Sequence, residues 1–268
     1  GSSDNVIITA MLGVGAVGLV NNYQMISSKI QEFILSIFQA LQASIGNMVY
    51  DKDADKGIDF FYALDLLGFY LGLTAAIGMA VVGQDFILVW LKNQEFQLSF
   101  LFLLLLSLNV FISICNNPMN YFRNTLGHFE CDRNHMIVAA IINVVLTLLL
   151  ALPLGVAGVM IGTVIGHLCI FVGRTVVVYR YYVKKSPVEY YVRFLFRLSI
   201  FVLSVAGTLF VVNKIGGGWI GVLIKGLVSV FVSTIVFLFY SFRRKEFQIL
   251  LSYVKKVFLL IKRKGKKC

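Results

Sequence analysis

Charge is what this chain has least of. Only 14% of its 268 residues are Asp, Glu, Lys or Arg, 59% are hydrophobic, and the mean hydropathy is +0.85. Soluble domains carry roughly 25% charged and 45–50% apolar residues, so this composition suits lipid as solvent. Acidic residues are the scarcer sign, 13 against 24 Lys and Arg, which leaves a net charge of +11. The chain also lacks a GxxxxGK phosphate loop, a G-x-S-x-G elbow and a His/Glu metal motif. No catalytic constellation is visible, so no enzyme, metal site or cofactor is expected, and active transport must draw on an ion or substrate gradient. The four cysteines, Cys115, Cys131, Cys169 and Cys268, have no metal-ligand spacing and read as unpaired thiols in a reduced setting.

On a soluble chain a charge of +11 would suggest nucleic acid. Here no DNA- or RNA-binding motif accompanies it and the basic segments flank hydrophobic runs, so nucleic acid is not an expected partner. Each helical crossing of a ~30 Å hydrocarbon core takes ~20 apolar residues. Such runs fall at about 6–26, 30–49, 59–91, 98–118, 136–153, 156–179, 192–212 and 220–242. The expectation is an all-α, polytopic transmembrane helix bundle of about eight spans. If the tail is cytoplasmic, the inside segments are 50–62, 119–135, 174–197 and 243–268. They hold 20 of the 24 Lys and Arg, the other four being Lys29, Lys92, Lys214 and Lys225. That asymmetry is what the positive-inside bias produces. In the tail, Phe247, Leu250, Leu251, Val254, Val257, Phe258 and Ile261 recur at helical spacing beside Lys255, Lys256, Lys262 and Arg263. This predicts an amphipathic helix lying on the anionic inner leaflet.

Polar groups inside spans are costly and normally face protein or a watery cavity. Asp4 and Asn5 open the first run, and Asn21, Asn22, Tyr23 and Gln24 lie near its outer end, read as interface residues or cavity wall. In the second run Ser36, Gln39, Ala43 and Gly46 share one side with Gln42 and Asn47 beside them, which fits helix packing or a cavity wall. Asp65 fits pairing with a Lys or Arg better than ion coupling, for which it remains the candidate. Asn109, Asn116 and Asn117, followed by Pro118, point to a helix break or a polar lumen. His167 reads as a packing partner, and Arg174 and Lys225 as snorkelling cations.

Three stretches resemble one family. The first is Ser3-Asp4-Asn5 with Leu12-Gly13, Gly18 and Asn21-Asn22-Tyr23. The second is Ala43-Ser44-Ile45-Gly46-Asn47 and the short charged loop 51–57. The third runs from Asn117-Pro118 through Tyr121, Arg123, Gly127 and Asp132-Arg133, with Leu154-Gly155, Ala157-Gly158 and Gly162-Thr163 after the next span. Over about residues 3–182 the chain resembles the polysaccharide (O-antigen and capsule repeat-unit) flippases, of the superfamily that includes multidrug/toxin extruders and lipid II flippases.

The resemblance implies a MATE-like fold, with 1–182 as its second six-helix bundle, 183–242 as two extra transmembrane helices and 243–268 as the basic cytoplasmic tail. It implies a piece of a longer protein that lacks the first bundle. The implied activity is translocation, by alternating access, of undecaprenyl-diphosphate-linked oligosaccharide units across the bacterial cytoplasmic (inner) membrane, for capsule, O-antigen or exopolysaccharide synthesis. Glycosyltransferases and a polysaccharide polymerase are the implied partners. Arg123 and Arg174 would meet the diphosphate, and Asn5, Gln39, Asn47, Asn116 and Asn117 the sugars. A cation-coupled multidrug/toxin antiporter of the same fold is the alternative, and a membrane-embedded sugar-polymerising enzyme is disfavoured by the short outer loops.

Overall fold

The computed structural model describes residues 2–50, 53–127 and 129–264. Asp51, Lys52, His128 and Cys268 lie outside the described residues, as do the side chains of Ser3, Asp132, Val254, Lys256, Val257, Phe258, Ile261, Lys262 and Arg263. Among the described residues the chain is helical throughout: α1 (Ser2–Leu12), α2 (Val14–Val49), α3 (Ala54–Leu91), α4 (Phe100–Cys115), α5 (Asn117–Leu126), α6 (Phe129–Leu154), α7 (Val156–Val178), α8 (Val188–Val212), α9 (Gly218–Ser241) and α10 (Lys245–Lys264). One 3₁₀ turn, Gln94–Phe96, and one π turn, Tyr179–Val183, join them.

Among the described residues six helices are long and apolar enough to cross a membrane: Ala54–Leu91, Phe100–Leu126, Arg133–Leu154, Val156–Val183, Val188–Val212 and Gly218–Ser241. They match the expected spans from the third onward. The first two expected spans take a different form. The chain does not turn at 27–29. α2 runs through that point as one 36-residue helix. Its polar residues there satisfy themselves on the helix: Ser27 and Ser28 donate to the carbonyls of Gln24 and Met25, and Lys29 pairs with Glu32 at 2.7 Å. The turn lies instead at Gly13, with φ 90°, a left-handed conformation that glycine adopts without a Cβ penalty. Asn5 Nδ2 donates to Asn21 Oδ1 at 3.2 Å. These residues sit eight before and eight after Gly13, so α1 folds back antiparallel along α2. Eleven residues rise only ~16 Å, about half of a ~30 Å hydrocarbon core.

α3 is the central helix. Asp53 caps it, accepting from the Lys56 N–H, and Lys92 ends it in the left-handed region. It touches α2, α4, α5, α8, α9 and α10. On one side Gly68 and Gly72 admit α4 and α5: a Cβ at Gly68 would lie 3.1 Å from Pro118 Cγ, and one at Gly72 3.2 Å from Cys115 Sγ. Pro118 has no N–H to continue the helix, and the chain breaks there between α4 and α5, at Asn116. On the other side α9 runs antiparallel to α3 with its buried Ser229, Ser233, Phe237 and Ser241 at every fourth position. Polar bonds tie α3 along its length to α9 and to the start of α10. Lys225 Nζ meets Asp85 at 2.6 Å, Ser233 and Thr74 hydroxyls lie 2.9 Å apart, Thr234 and Tyr70 3.1 Å, and Lys245 Nζ meets Asp59 at 2.7 Å. Lys225 therefore pairs rather than snorkels, and Asp85 is its partner. The Asp59 carboxylate, by hydrogen bond and then by charge, raises the Lys245 ammonium pKa.

Asp65 is bound into the interior. It is 1% exposed, its Oδ2 lies 2.7 Å from Nη1 of Arg197 (2% exposed), and Tyr190 donates to its Oδ1 at 2.7 Å. Arg197 Nε donates to the Tyr240 hydroxyl, and the guanidinium stands 5.0 Å from the Phe69 ring centre. Aromatic rings pack around this cluster, Phe111 on Phe201 at 4.9 Å and Phe171 on Phe194 at 4.3 Å. Arg174, Arg193 and Arg197, counted above in one inside connector, belong to helices, and only 184–187 lies between the π turn and α8. α10 docks its first half on the bundle rather than lying free: Tyr253 stacks edge-on against Phe60 at 5.0 Å, and Glu246 accepts from Arg193 at 3.0 Å.

Candidate functional site: a polar cleft and the face of α2

α6 and α7 form a tight antiparallel pair. Glycines on α7 recur at 158, 162 and 166, and a Cβ at these positions would strike Leu150, Thr147 and Asn143 of α6. Small residues permit this backbone approach where apolar side chains would hold the helices apart. The opposite face of α6 is exposed through Ile137, Ile141, Val145, Leu148 and Leu152.

Between this pair, α1, α2 and α4 lies a cleft of about 540 Å³. Its polar lining is Asp4, Gln24, Ser27, Ser28, Asn109, Asn143, Thr163 and His167. Each of Asp4, Gln24, Asn109, Asn143, Thr163 and His167 lies about ten residues from the same end of the bundle, ~15 Å of helical rise. Asp4 is 4% exposed, and its Oδ2 accepts from the Thr163 hydroxyl at 3.3 Å. His167 donates from Nδ1 to the Asn109 side-chain oxygen. The cleft thus brings together amide, hydroxyl and imidazole groups with one carboxylate.

From the cleft a polar face continues along α2. Gly18, Asn21, Met25, Ser28, Glu32, Ser36, Gln39, Ala43 and Asn47 recur at three- and four-residue spacing and all are exposed. Small and polar residues dominate it, while Ile34, Phe38 and Ile45 on the other side are buried. This stripe accounts for the absence of α2 from the six most apolar helices. Lipid is a poor neighbour for it.

Of the residues singled out in the sequence, Gln39 and Asn47 lie on the exposed face of α2. The cleft lining includes none of the eight. Asn5 is half-buried on α1, eight residues before the turn at Gly13, and donates to Asn21 on α2 rather than lining the cleft. Asn116 is 8% exposed at the α4–α5 break, its Oδ1 without a hydrogen-bond partner, and Asn117 opens α5 beside it. Arg123 is 7% exposed and reaches the cleft only indirectly. Its Nη1 donates to Asn124 Oδ1 at 2.8 Å and its Nη2 lies 3.8 Å from the sulfur of Met136, which does line the cleft. Arg174 is half-buried on α7, about two turns beyond His167. Asp65 is held by Arg197. In the sequence Asp4 and Gln24 read as interface residues or cavity wall, Asn109 as part of a helix break or polar lumen, and His167 as a packing partner. Asn143 was passed over, although an Asn inside a run as apolar as 136–153 is itself the signal.

The cleft and the exposed polar stripe thus lie together on an all-helical bundle in which, among the described residues, six helices are long and apolar enough to cross a membrane. Comparison with family models, with curated proteins and with solved structures returned no match.

Proposed function

We propose that this chain forms one wall of the translocation path of a flippase for undecaprenyl-diphosphate-linked oligosaccharides, in a bacterial cytoplasmic membrane with the C-terminus inside. The observation that carries the reading is the exposed polar face of α2 opening into the polar cleft, on a bundle that includes six helices long and apolar enough to span a bilayer among the described residues. A hydrated sugar head cannot cross hydrocarbon without such a lining, since each hydroxyl stripped of water costs free energy unless a hydrogen bond replaces it. Gln24, Gln39, Asn47, Asn109 and Asn143 offer both donors and acceptors, the chemistry that matches sugar hydroxyls. Arg123, whose guanidinium meets the sulfur of the cleft-lining Met136, is a cation placed to serve the diphosphate. Alternating access would turn this wall toward each leaflet in turn, with the path's other wall, a polymerase and glycosyltransferases as partners.

The alternative, a cation-coupled antiporter of the same fold, gains one observation: the buried carboxylate of Asp4 in the cleft, where Asp65 is already neutralised by Arg197. The test uses the whole protein in a strain deleted for its gene. Gln39 and Asn47 are exposed, so Gln39→Leu with Asn47→Leu leaves the fold intact. Surface polymer is expected to fall at least about tenfold, the equivalent of ~1.4 kcal/mol of lost transition-state contact, while lipid-linked units build up on the inner face. Unchanged polymer with lost resistance to cationic dyes would discard the flippase reading in favour of the antiporter.

A further inference from the structure

The cytoplasmic ends of α8, α9 and α10 gather five cations, and three are already neutralised. Arg193 meets Glu246 and Glu189, Arg197 meets Asp65, and Lys245 meets Asp59. Among the described residues Arg243 and Arg244 have no carboxylate partner. Arg244 donates to the Tyr240 carbonyl at 3.2 Å and lies 4.2 Å from that ring's centre, which fixes its guanidinium in place. Arg243 is exposed, and among the described residues its side chain makes no hydrogen bond. Both flank an open trough of about 890 Å³, walled by Ile235, Leu238, Phe239 and Phe242. Phe239 is 92% exposed. The trough lies on the side of α9 opposite its buried Ser233, Phe237 and Ser241, and so away from the polar cleft.

An apolar channel running along a spanning helix and closed by two guanidiniums at the membrane surface matches one kind of occupant. We propose that it is a binding site for an anionic glycerophospholipid, with acyl chain against Phe239 and Phe242 and phosphate on Arg243 and Arg244. Guanidinium presents paired donors that fit phosphate oxygens, and it loses less to desolvation at such a boundary than an ammonium does. A bound lipid there would fasten the end of α9 where α10 leaves it. The assignment does not depend on the flippase reading.

The test is native mass spectrometry of the full chain released from phosphatidylcholine nanodiscs that contain phosphatidylglycerol. A retained phosphatidylglycerol adduct is expected, and Arg243→Gln with Arg244→Gln should weaken its retention about tenfold. Arg243→Gln alone, at an exposed position that holds nothing in the fold, should show part of the loss. The charge-matched control Lys184→Gln with Lys185→Gln should change it by less than about twofold, since a general surface potential is shared among all the cations. Equal loss in the control, equal retention of phosphatidylcholine, or displacement by inorganic phosphate would each overturn the proposal. So would retention of a polyprenyl diphosphate with no phosphatidylglycerol, which would hand the trough to the transported lipid.

Discussion

Replacing Arg197 by Met is expected to lower the stability of the bundle by about 3–5 kcal/mol, the cost typical of stranding one partner of a buried ion pair. Asp65 is 1% exposed, with Tyr190 as its remaining donor, so the lone carboxylate has no access to water. Asp65→Asn is expected to do comparable harm, since it leaves the guanidinium between Phe69 and Tyr240 without its counter-charge. The double substitution Asp65→Leu with Arg197→Met removes both charges into a site already lined by Phe111, Phe194 and Phe201, and it should recover most of the loss. The measurement is the unfolding midpoint of the purified protein in detergent, taken over the four-variant cycle. Additive losses would mean that the two groups stabilise the fold separately. The same cycle settles the role of Asp65. If it pairs only with Arg197, transport returns in the double variant along with stability, whereas a group that carries the coupling ion would leave a stable but inactive protein.

The ion pair also shows what a sequence can and cannot disclose. Asp65 invites a basic partner by its depth alone, since a carboxylate inside a run such as 59–91 must be neutralised. Which cation answers is not written along the chain. Arg197 stands in α8, more than a hundred residues away, and beside the connector 184–187 it looks like one more inside charge. Hydropathy, by contrast, is a local property read at the length of a helix, and it placed α3, α6, α7, α8 and α9 within a few residues of where they fold. It failed at α1 and α2 because polarity was read as a turn. Asn21 to Lys29 is polar on one helical face, and hydroxyls bonded to their own backbone keep such a segment helical; the real reversal needed a positive φ, which Gly13 supplies. The cleft was hidden for the reason that Arg197 was. Asn143 and His167 each look like a lone polar residue in an apolar run, Asp4 and Asn109 belong to separate polar groups in the sequence, and only the approach of α1, α4, α6 and α7 makes them one site.

That approach rests on glycine, and the second large effect is expected there. Gly158→Ala should separate α6 from α7, because the new Cβ would lie 1.9 Å from the Leu150 carbonyl oxygen and 2.4 Å from its carbon, both main-chain atoms that no rotamer change can move. Gly162→Leu should do more, since the first atom alone meets Thr147 Oγ1 at 2.5 Å and the Asn143 carbonyl at 3.0 Å. Overpacking of this kind costs about 1–3 kcal/mol, and larger side chains push toward the upper end. Gly226→Ala on α9 is the matched control: no atom lies within 4 Å of its Cβ, so it should be neutral or gain a few tenths of the ~1 kcal/mol by which Ala exceeds Gly in helices. The unfolding midpoint separates the three. The functional consequence is sharper than the loss of stability. Asn143 sits on α6 directly opposite Gly162 and Gly166, with Thr163 and His167 the next residues on α7, so widening this interface shifts one wall of the cleft relative to the other. Transport by the Gly158→Ala protein that does fold should therefore fall well below its share of folded material. If it falls only in proportion to that material, the α6–α7 contact is a scaffold alone and the cleft is not on the path.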